Sequence, residues 1–253
     1  TGTTSRDWNT ATNWSPNGTP GASDNVFIDG GITNQPQLNF NLNPATYQIN
    51  NLSFGSTSSP SASLSISSAR LGVIGSQFTL NTITGAAPLS LSSPVGGSIK
   101  LSASSASGYT GPIHVTSGIG SFGSDFPGST IYLEVGAGGI APFTSSLSSN
   151  INVSGTQNFN FTQRNNLSTT FSGVISGGNI GLSNLGFMPT LTLSNSNNSY
   201  GNTNFNNTSS DNTLAIASAG TGTISSNPIF VFKLTLLGDG TLASTVELNP
   251  TGT

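Results

Sequence analysis

The sequence predicts an all-β fold made of many short, repeated strands, and three observations support this. Charged residues make up only 5% of the 253 residues, and hydrophobic residues make up 33%. The apolar residues recur in short alternating runs, which are typical of strands. Gly, Ser and Asn lie between the runs and readily form tight corners. Low charge and regular apolar runs argue against disorder and favour a repetitive fold with a thin, continuous core.

The spacing of these runs predicts the size of one repeat. Apolar–x–apolar triplets begin at Leu64, Phe78, Leu89, Ile99, Ile113, Ile131, Ile151, Phe159, Ile180, Leu191, Leu214, Leu234 and Val246. Two successive triplets make a coil of about 20–25 residues, which is the range of solenoid repeats. Antiparallel β-sandwiches also have strands about every 8–12 residues. Spacing alone therefore leaves a parallel solenoid and an antiparallel β-sandwich open.

One stretch resembles a known family. The segments at 172–178 (SGVISGG), 181–182 (GL), 190–194 (TLTLS) and 198–203 (NSYGNT) resemble the autotransporter-associated β-strand repeat of bacterial surface and secreted proteins. The match covers about one repeat, and LGFM at 185–188 replaces the family's Gly-rich turn. The resemblance implies a right-handed parallel β-helix located outside the cell, and it names no ligand. We therefore predict a parallel β-solenoid, with the antiparallel sandwich as the alternative.

We expect residues 1–253 to form one solenoid domain, with an N-terminal cap-like unit at 1–30 followed by coils at 31–253. The cap-like unit contains Trp8 and Trp14, the only tryptophans. Its pattern, W…NWS…G.PG..D.V.I over residues 8–28, resembles the first coil of secreted bacterial β-solenoid proteins. Because the first rung of a solenoid exposes its core, we expect the two indoles to cover it. The functional alternative is a platform on which a sugar stacks.

The middle of the chain, about 102–150, is less regular in sequence. Residues 118–123 and 136–139 are Gly-rich, and aromatic residues concentrate here. We expect irregular loops in this region, where binding residues are often found. Tyr109 and Tyr132 are the candidate contacts for an extracellular glycan. The structural alternative is that these aromatic residues fill wider coils.

The most apolar stretch lies near the C-terminus of the sequence, in residues 228–253. It contains Phe230, Phe232, Leu234 and Leu236, and Asp-Gly at 239–240 then predicts a turn. An apolar last rung needs a cap, a partner or another copy of the chain. We predict an assembly interface formed by this stretch together with Trp8 and Trp14. The expected product is a homo-oligomer or a filament of identical subunits.

Charge and composition argue against several classes of partner and cofactor. The net charge is −3 and the five basic residues are scattered, which argues against nucleic acid. The sequence contains no long apolar run of the kind that inserts into a membrane. The absence of cysteine excludes disulfides and zinc–thiolate sites, and no cofactor is expected. Because the chain begins with Thr and shows no signal peptide, we interpret it as a processed, exported product.

The sequence contains few candidates for catalysis. Asp125 and Glu134 are the pair of acids considered for glycoside cleavage, but their spacing matches no motif. His114 is the only histidine and lies at the middle of an apolar triplet, so its side chain should point outward. We therefore predict a non-catalytic extracellular structural protein, a subunit of a surface fibre, matrix or adhesive scaffold. The alternatives are a glycan-binding adhesin and a polysaccharide-cleaving β-helix.

Overall fold

The fold is described from a computed structural model. It describes residues 4–41, 45–55, 62–70, 72–160, 168–183, 190–195, 197–200, 203–206, 213–216 and 233–236. Within these residues the chain is almost entirely strand, with one short 3-10 helix at Ala11–Asn13. No helix in the described segments is long and apolar enough to span a membrane.

The strands follow one another along the whole described chain. They are β1 (Asn25–Ile28), β2 (Gln37–Asn39), β3 (Thr46–Phe54), β4 (Leu64–Ser67), β5 (Gly72–Gly85), β6 (Leu89–Ser92), β7 (Gly97–Tyr109), β8 (Ile113–Phe122), β9 (Thr130–Leu133), β10 (Ala137–Pro142), β11 (Ser146–Leu147), β12 (Asn150–Asn160), β13 (Thr169–Phe171), β14 (Ile175–Ser183), β15 (Thr190–Leu193), β16 (Ser199–Tyr200), β17 (Thr203–Asn206), β18 (Thr213–Ile216) and β19 (Lys233–Leu236).

All strand pairs in these segments are parallel. They form one sheet of 14 strands and a second of five, and successive coils stack as rungs of a β-solenoid. Hairpin connections would have produced antiparallel neighbours. The predicted β-solenoid is thus confirmed, and the antiparallel sandwich is wrong.

Columns of apolar side chains run through the stack, and one of them continues over six rungs. Its members, which we call the core column, are Leu64, Leu89, Ile113, Ile131, Ile151 and Ile175. Each is paired in register with the next, one coil later in the sequence, and each is buried. Because side chains alternate along a strand, the residue after each of them points to the outer surface.

The predicted repeat length is confirmed at the other end of the described chain. Leu191 pairs with Leu214, and Leu214 pairs with Leu234. Both steps fall in the range of about 20–25 residues expected from the spacing of the triplets. These strands belong to the five-stranded sheet, in which β19 is the last strand.

The N-terminal unit covers the first rung with its indoles. Trp8 is fully buried and packs edge-on against Trp14, with ring centroids 4.7 Å apart, and against Phe78 at 6.2 Å. The backbone of Trp8 donates to the Gln37 carbonyl at 3.0 Å, so the chain here runs alongside β2. The indoles therefore act as core residues, as the capping interpretation predicted. Trp8 is fully buried and Trp14 is 9% exposed, so the two indoles offer little surface to a partner, and their part in an assembly interface stays a prediction.

The irregular loops expected at about 102–150 are largely absent. Strands β7 to β12 cover most of this region, and Phe122 and Phe126 are fully buried. Its glycines lie within or beside strands where the chain is crowded. At Gly138, for example, a Cβ would lie 3.2 Å from the carbonyl oxygen of Gly118 on the neighbouring rung. Tyr109, Phe122 and Phe126 fill the coils, as the structural alternative proposed, whereas Tyr132 lies on the outer surface.

Side-chain amides connect successive rungs. Asn25 Oδ1 accepts from Asn50 Nδ2 at 2.9 Å, and Asn198 Oδ1 accepts from the Ile175 backbone N–H at 2.8 Å. Each pair is separated by one coil in sequence, 25 and 23 residues respectively. The Asn198 amide thereby gives the buried backbone N–H of Ile175 a partner.

Candidate functional site

A row of polar and aromatic side chains lies on the outer surface next to the core column. The residue that follows each member of the core column belongs to what we call the outer row. Its members, which are paired in register, are Ser65, Ser90, His114, Tyr132, Asn152 and Ser176. His114 therefore points outward, as predicted. Glu134 lies two residues after Tyr132, and its side chain contacts His114. The His114 Nδ1 and Glu134 Oε1 atoms are 2.8 Å apart. We call His114, Tyr132 and Glu134 the His–Tyr–Glu cluster.

Within this cluster, His114 and Glu134 form a pair that is partly exposed to solvent. The His114 and Glu134 side chains are 30% and 37% exposed. Such pairs contribute about 0–1 kcal/mol to stability because water and salt screen them. No three His, Cys, Asp or Glu side chains in the described segments come together as metal ligands.

The rings of His114 and Tyr132 are stacked along the solenoid. Their centroids are 4.9 Å apart and their planes differ by 10°. One face of the Tyr132 ring is therefore covered by the imidazole, and its other face lies toward the Asn152 rung. A sugar that stacks on an aromatic residue needs an open ring face. The cluster presents ring edges to solvent, so Tyr132 is poorly placed for the stacking contact predicted from the sequence.

The two candidate acids have separate partners. Asp125 accepts hydrogen bonds at both carboxylate oxygens, from the Ser148 backbone N–H at 2.7 Å and from Ser148 Oγ at 2.6 Å. It thereby ties one corner of the coil to the next. Glu134 pairs with His114 on the outer surface. Asp125 is thus a structural residue of the corner, and no contact in the described chain joins it to Glu134.

Tyr109 is not a surface residue. Its side chain is fully buried, and its hydroxyl donates to the carbonyl oxygens of Ala87 at 2.7 Å and Pro112 at 3.2 Å. The prediction of Tyr109 as a glycan contact is therefore wrong. Burial also raises the pKa of this hydroxyl well above its ordinary value.

The raised pKa of Tyr109 predicts a loss of stability in alkaline solution. Below the ordinary tyrosine pKa of 10.0 the full stabilisation is present. It decreases as the pH rises above 10.0 toward the folded-state pKa, because the unfolded chain releases the proton more readily. Urea unfolding between about pH 8 and about pH 11 should show this decrease, and Tyr109→Phe should make it smaller. An equal decrease in both proteins would contradict the assignment to Tyr109.

A cavity lies at the N-terminal end of the described chain, and we call it the N-terminal cleft. Its volume is about 630 Å³. Its walls are the chain around Trp14–Pro20 and the outer side of β1, and they include the carboxylates of Asp7, Asp24 and Asp29. Asp24 accepts the Gly21 backbone N–H at 2.7 Å, and Asp7 accepts that of Asn9 at 3.0 Å. Both carboxylates therefore also shape the local turns.

Phe27 is the residue of this cleft that the sequence analysis did not identify. It lies on β1 between the buried Val26 and Ile28, and 59% of its side chain is exposed. Of the three large exposed hydrophobic residues in the described chain, the other two, Val95 and Val135, lie in turns. The only sequence signal was strand alternation, which places Phe27 opposite to its two neighbours.

The remaining candidate residues for the predicted assembly interface belong to the apolar stretch at 228–253. Phe230 and Phe232 lie outside the described residues. Leu234 and Leu236 lie on β19, which pairs with β18 along one edge.

Comparisons with protein-family models, curated proteins and solved structures found no match to this chain. The fold alone defines the class of the protein. It is a parallel β-solenoid whose N-terminal rung is covered by two buried tryptophans.

Proposed function

We propose that this chain is a non-catalytic structural protein of an extracellular surface, and that its subunits assemble end to end into a fibre or matrix. The observation that carries the proposal is the unbroken parallel stack. Six rungs of the core column keep their register, and all six side chains are buried. Such a stack is a stiff rod, because each rung is held by hydrogen bonds to both neighbours.

The geometry of a parallel stack also favours this kind of assembly. Its two ends are different surfaces, since all strands point in one direction. End-to-end contact is therefore heterologous and does not close, which produces fibres rather than dimers. The extracellular location is supported by the family resemblance and by a cysteine-free composition, which suits an oxidising compartment.

The test is the state of the purified chain as its concentration rises. We expect negative-stain electron microscopy to show unbranched filaments whose width is that of one solenoid, with the ~4.8 Å rung spacing in fibre diffraction. Sedimentation should show a pelletable fraction above a critical concentration. Short single rods at every concentration tested would overturn the proposal.

A further inference from the structure

We propose that the N-terminal cleft binds a saccharide whose sugars are uncharged or carry an amine, through Asn25 and Phe27 of β1 and through Asp29, which follows β1. This ligand site goes beyond the structural role proposed above and does not depend on end-to-end assembly. The two indoles of the N-terminal unit are buried and offer a sugar little surface, whereas 59% of the Phe27 side chain is exposed.

The three side chains lie on one face of the chain. Because side chains alternate along an extended strand, residues 25, 27 and 29 point to the same side, about 6.6 Å from one to the next. Their exposure agrees with this alternation, since Val26 and Ile28 between them are buried. All three line the N-terminal cleft, whose volume of about 630 Å³ is in the range of small-molecule sites. The cleft therefore presents an amide, an aromatic ring and a carboxylate in a row.

The two polar members of this row have hydrogen-bonding capacity to spare. Asn25 Oδ1 accepts from Asn50 Nδ2 at 2.9 Å and from Asn51 Nδ2 at 2.6 Å, so Asn25 Nδ2 is a donor without a partner in the described segments. The Asp29 carboxylate has no hydrogen-bond or ion-pair partner among the described residues. Its backbone is held in place, because the Asp29 carbonyl accepts from Gln35 Nε2 at 3.1 Å. A positioned donor and a positioned acceptor therefore lie on either side of the ring.

Gly55 lets the ring and the carboxylate approach each other. It lies on the next rung, where its N–H donates to the Ile28 carbonyl at 2.8 Å. A Cβ on Gly55 would lie 2.9 Å from Phe27 Cζ and closer still to Asp29 Oδ1. Both groups therefore border the same small space, which any side chain larger than that of glycine would occupy.

This combination defines the chemistry of the ligand. A sugar ring has a face of C–H groups that packs on an aromatic ring, and hydroxyls at its edge that donate to a carboxylate and accept from an amide. A peptide would need further apolar pockets, whereas Phe27 is the only large exposed hydrophobic residue of the described chain that lines the cleft. Three aspartates and one arginine line the cleft, and this net negative charge disfavours uronic acids, phosphates and other anions.

Intrinsic fluorescence supplies a direct test on the purified chain. Trp8 and Trp14 are the only tryptophans, and Trp14 lines the cleft, so the signal reports on this end of the solenoid. The probes are trisaccharides of glucose, of glucosamine and of galacturonic acid, each titrated to about 10 mM. We expect a saturable change with the glucose or the glucosamine trisaccharide, or with both, and none with the acidic one.

Two results of this titration would overturn the proposal. One is the absence of any change with both the glucose and the glucosamine trisaccharide, and the other is equal binding of the galacturonic acid trisaccharide. Tri-lysine is the probe for a cationic peptide. If it binds while both of these saccharides fail, the cleft is a peptide site and the proposal is wrong.

Substitutions locate the binding site. Phe27→Ala and Asp29→Asn should each raise the Kd by about tenfold or more, because they remove the ring face and the charged acceptor. Gly55→Ala should have the same effect although it keeps every binding group, because its methyl group pushes the ring and the carboxylate apart. The matched controls are Val95→Ala and Glu134→Gln, which remove an exposed apolar side chain and a carboxylate outside the cleft.

Both controls should bind the saccharide as wild type does, and circular dichroism checks that each variant is folded. Wild-type affinity in any of the three cleft variants, or an equal loss in a control, would overturn the site. Filament formation is measured separately, so that this result leaves the proposed structural function standing.

Discussion

Trp8→Ala is expected to lower the free energy of unfolding by about 3–5 kcal/mol, the range for removing a buried aromatic side chain. The indole is fully buried among Trp14, Tyr47 and Phe78, and its Nε1 donates to the Tyr47 hydroxyl at 3.0 Å. Removing it opens a cavity under the first rung and leaves the Tyr47 hydroxyl without its donor. Guanidinium unfolding followed by circular dichroism measures the change.

Trp8→Phe is the control for this prediction. It keeps an aromatic ring in the core and loses the Nε1 hydrogen bond, so it should cost about 1–2 kcal/mol. A loss below about 1 kcal/mol in Trp8→Ala would show that the indole does not support the first rung.

Gly177→Ala is expected to destabilise the chain by about 2–5 kcal/mol, for two reasons that add. Gly177 has a φ of +99°, a conformation that costs an L-residue about 1–2 kcal/mol. A Cβ at this position would also collide with the carbonyl oxygen of Val153 on the preceding rung. Relieving such a collision costs about 1–3 kcal/mol more. Thermal and denaturant unfolding measure the sum.

Gly155→Ala separates the two effects. Gly155 also has a positive φ of +70°, but a Cβ there would meet no atom within 4 Å. This variant should therefore show only the conformational cost of about 1–2 kcal/mol. Equal losses in Gly155→Ala and Gly177→Ala would mean that the neighbouring rung does not restrict residue 177.

The fold could be predicted because a solenoid repeats its pattern in the sequence. The triplets at Leu64, Leu89, Ile113 and Ile131 form the core column directly, since each coil places the same alternation over the last. The N-terminal indoles were also predicted as core. Where glycine was dense, the prediction failed. Glycine predicts loops in most chains, but here it lies where neighbouring rungs approach closely, as Gly138 does beside Gly118.

The candidate site was less predictable than the fold. The pairing of His114 with Glu134 depends on the shortest step of the core column, from Ile113 to Ile131, and a regular repeat would not have placed these side chains together. Tyr109 was a candidate surface contact because loops were expected at about 102–150. Its buried hydrogen bonds to the carbonyls of Ala87 and Pro112 could not be predicted, because backbone acceptors do not depend on residue type.

The length of chain between stacked partners has a mechanical consequence. Asn152 and Ser176, which are hydrogen-bonded neighbours on successive rungs, are 24 residues apart in the sequence. A rung pulled from the end of the stack breaks only its bonds to one neighbour, and then releases its own length of chain. At about 3.3–3.6 Å per residue, a coil of this length extends to about 80 Å. A fibre of such subunits under tension would lengthen in discrete steps of about this size, one for each coil, and absorb work at each one, while the rest of the rod remains folded.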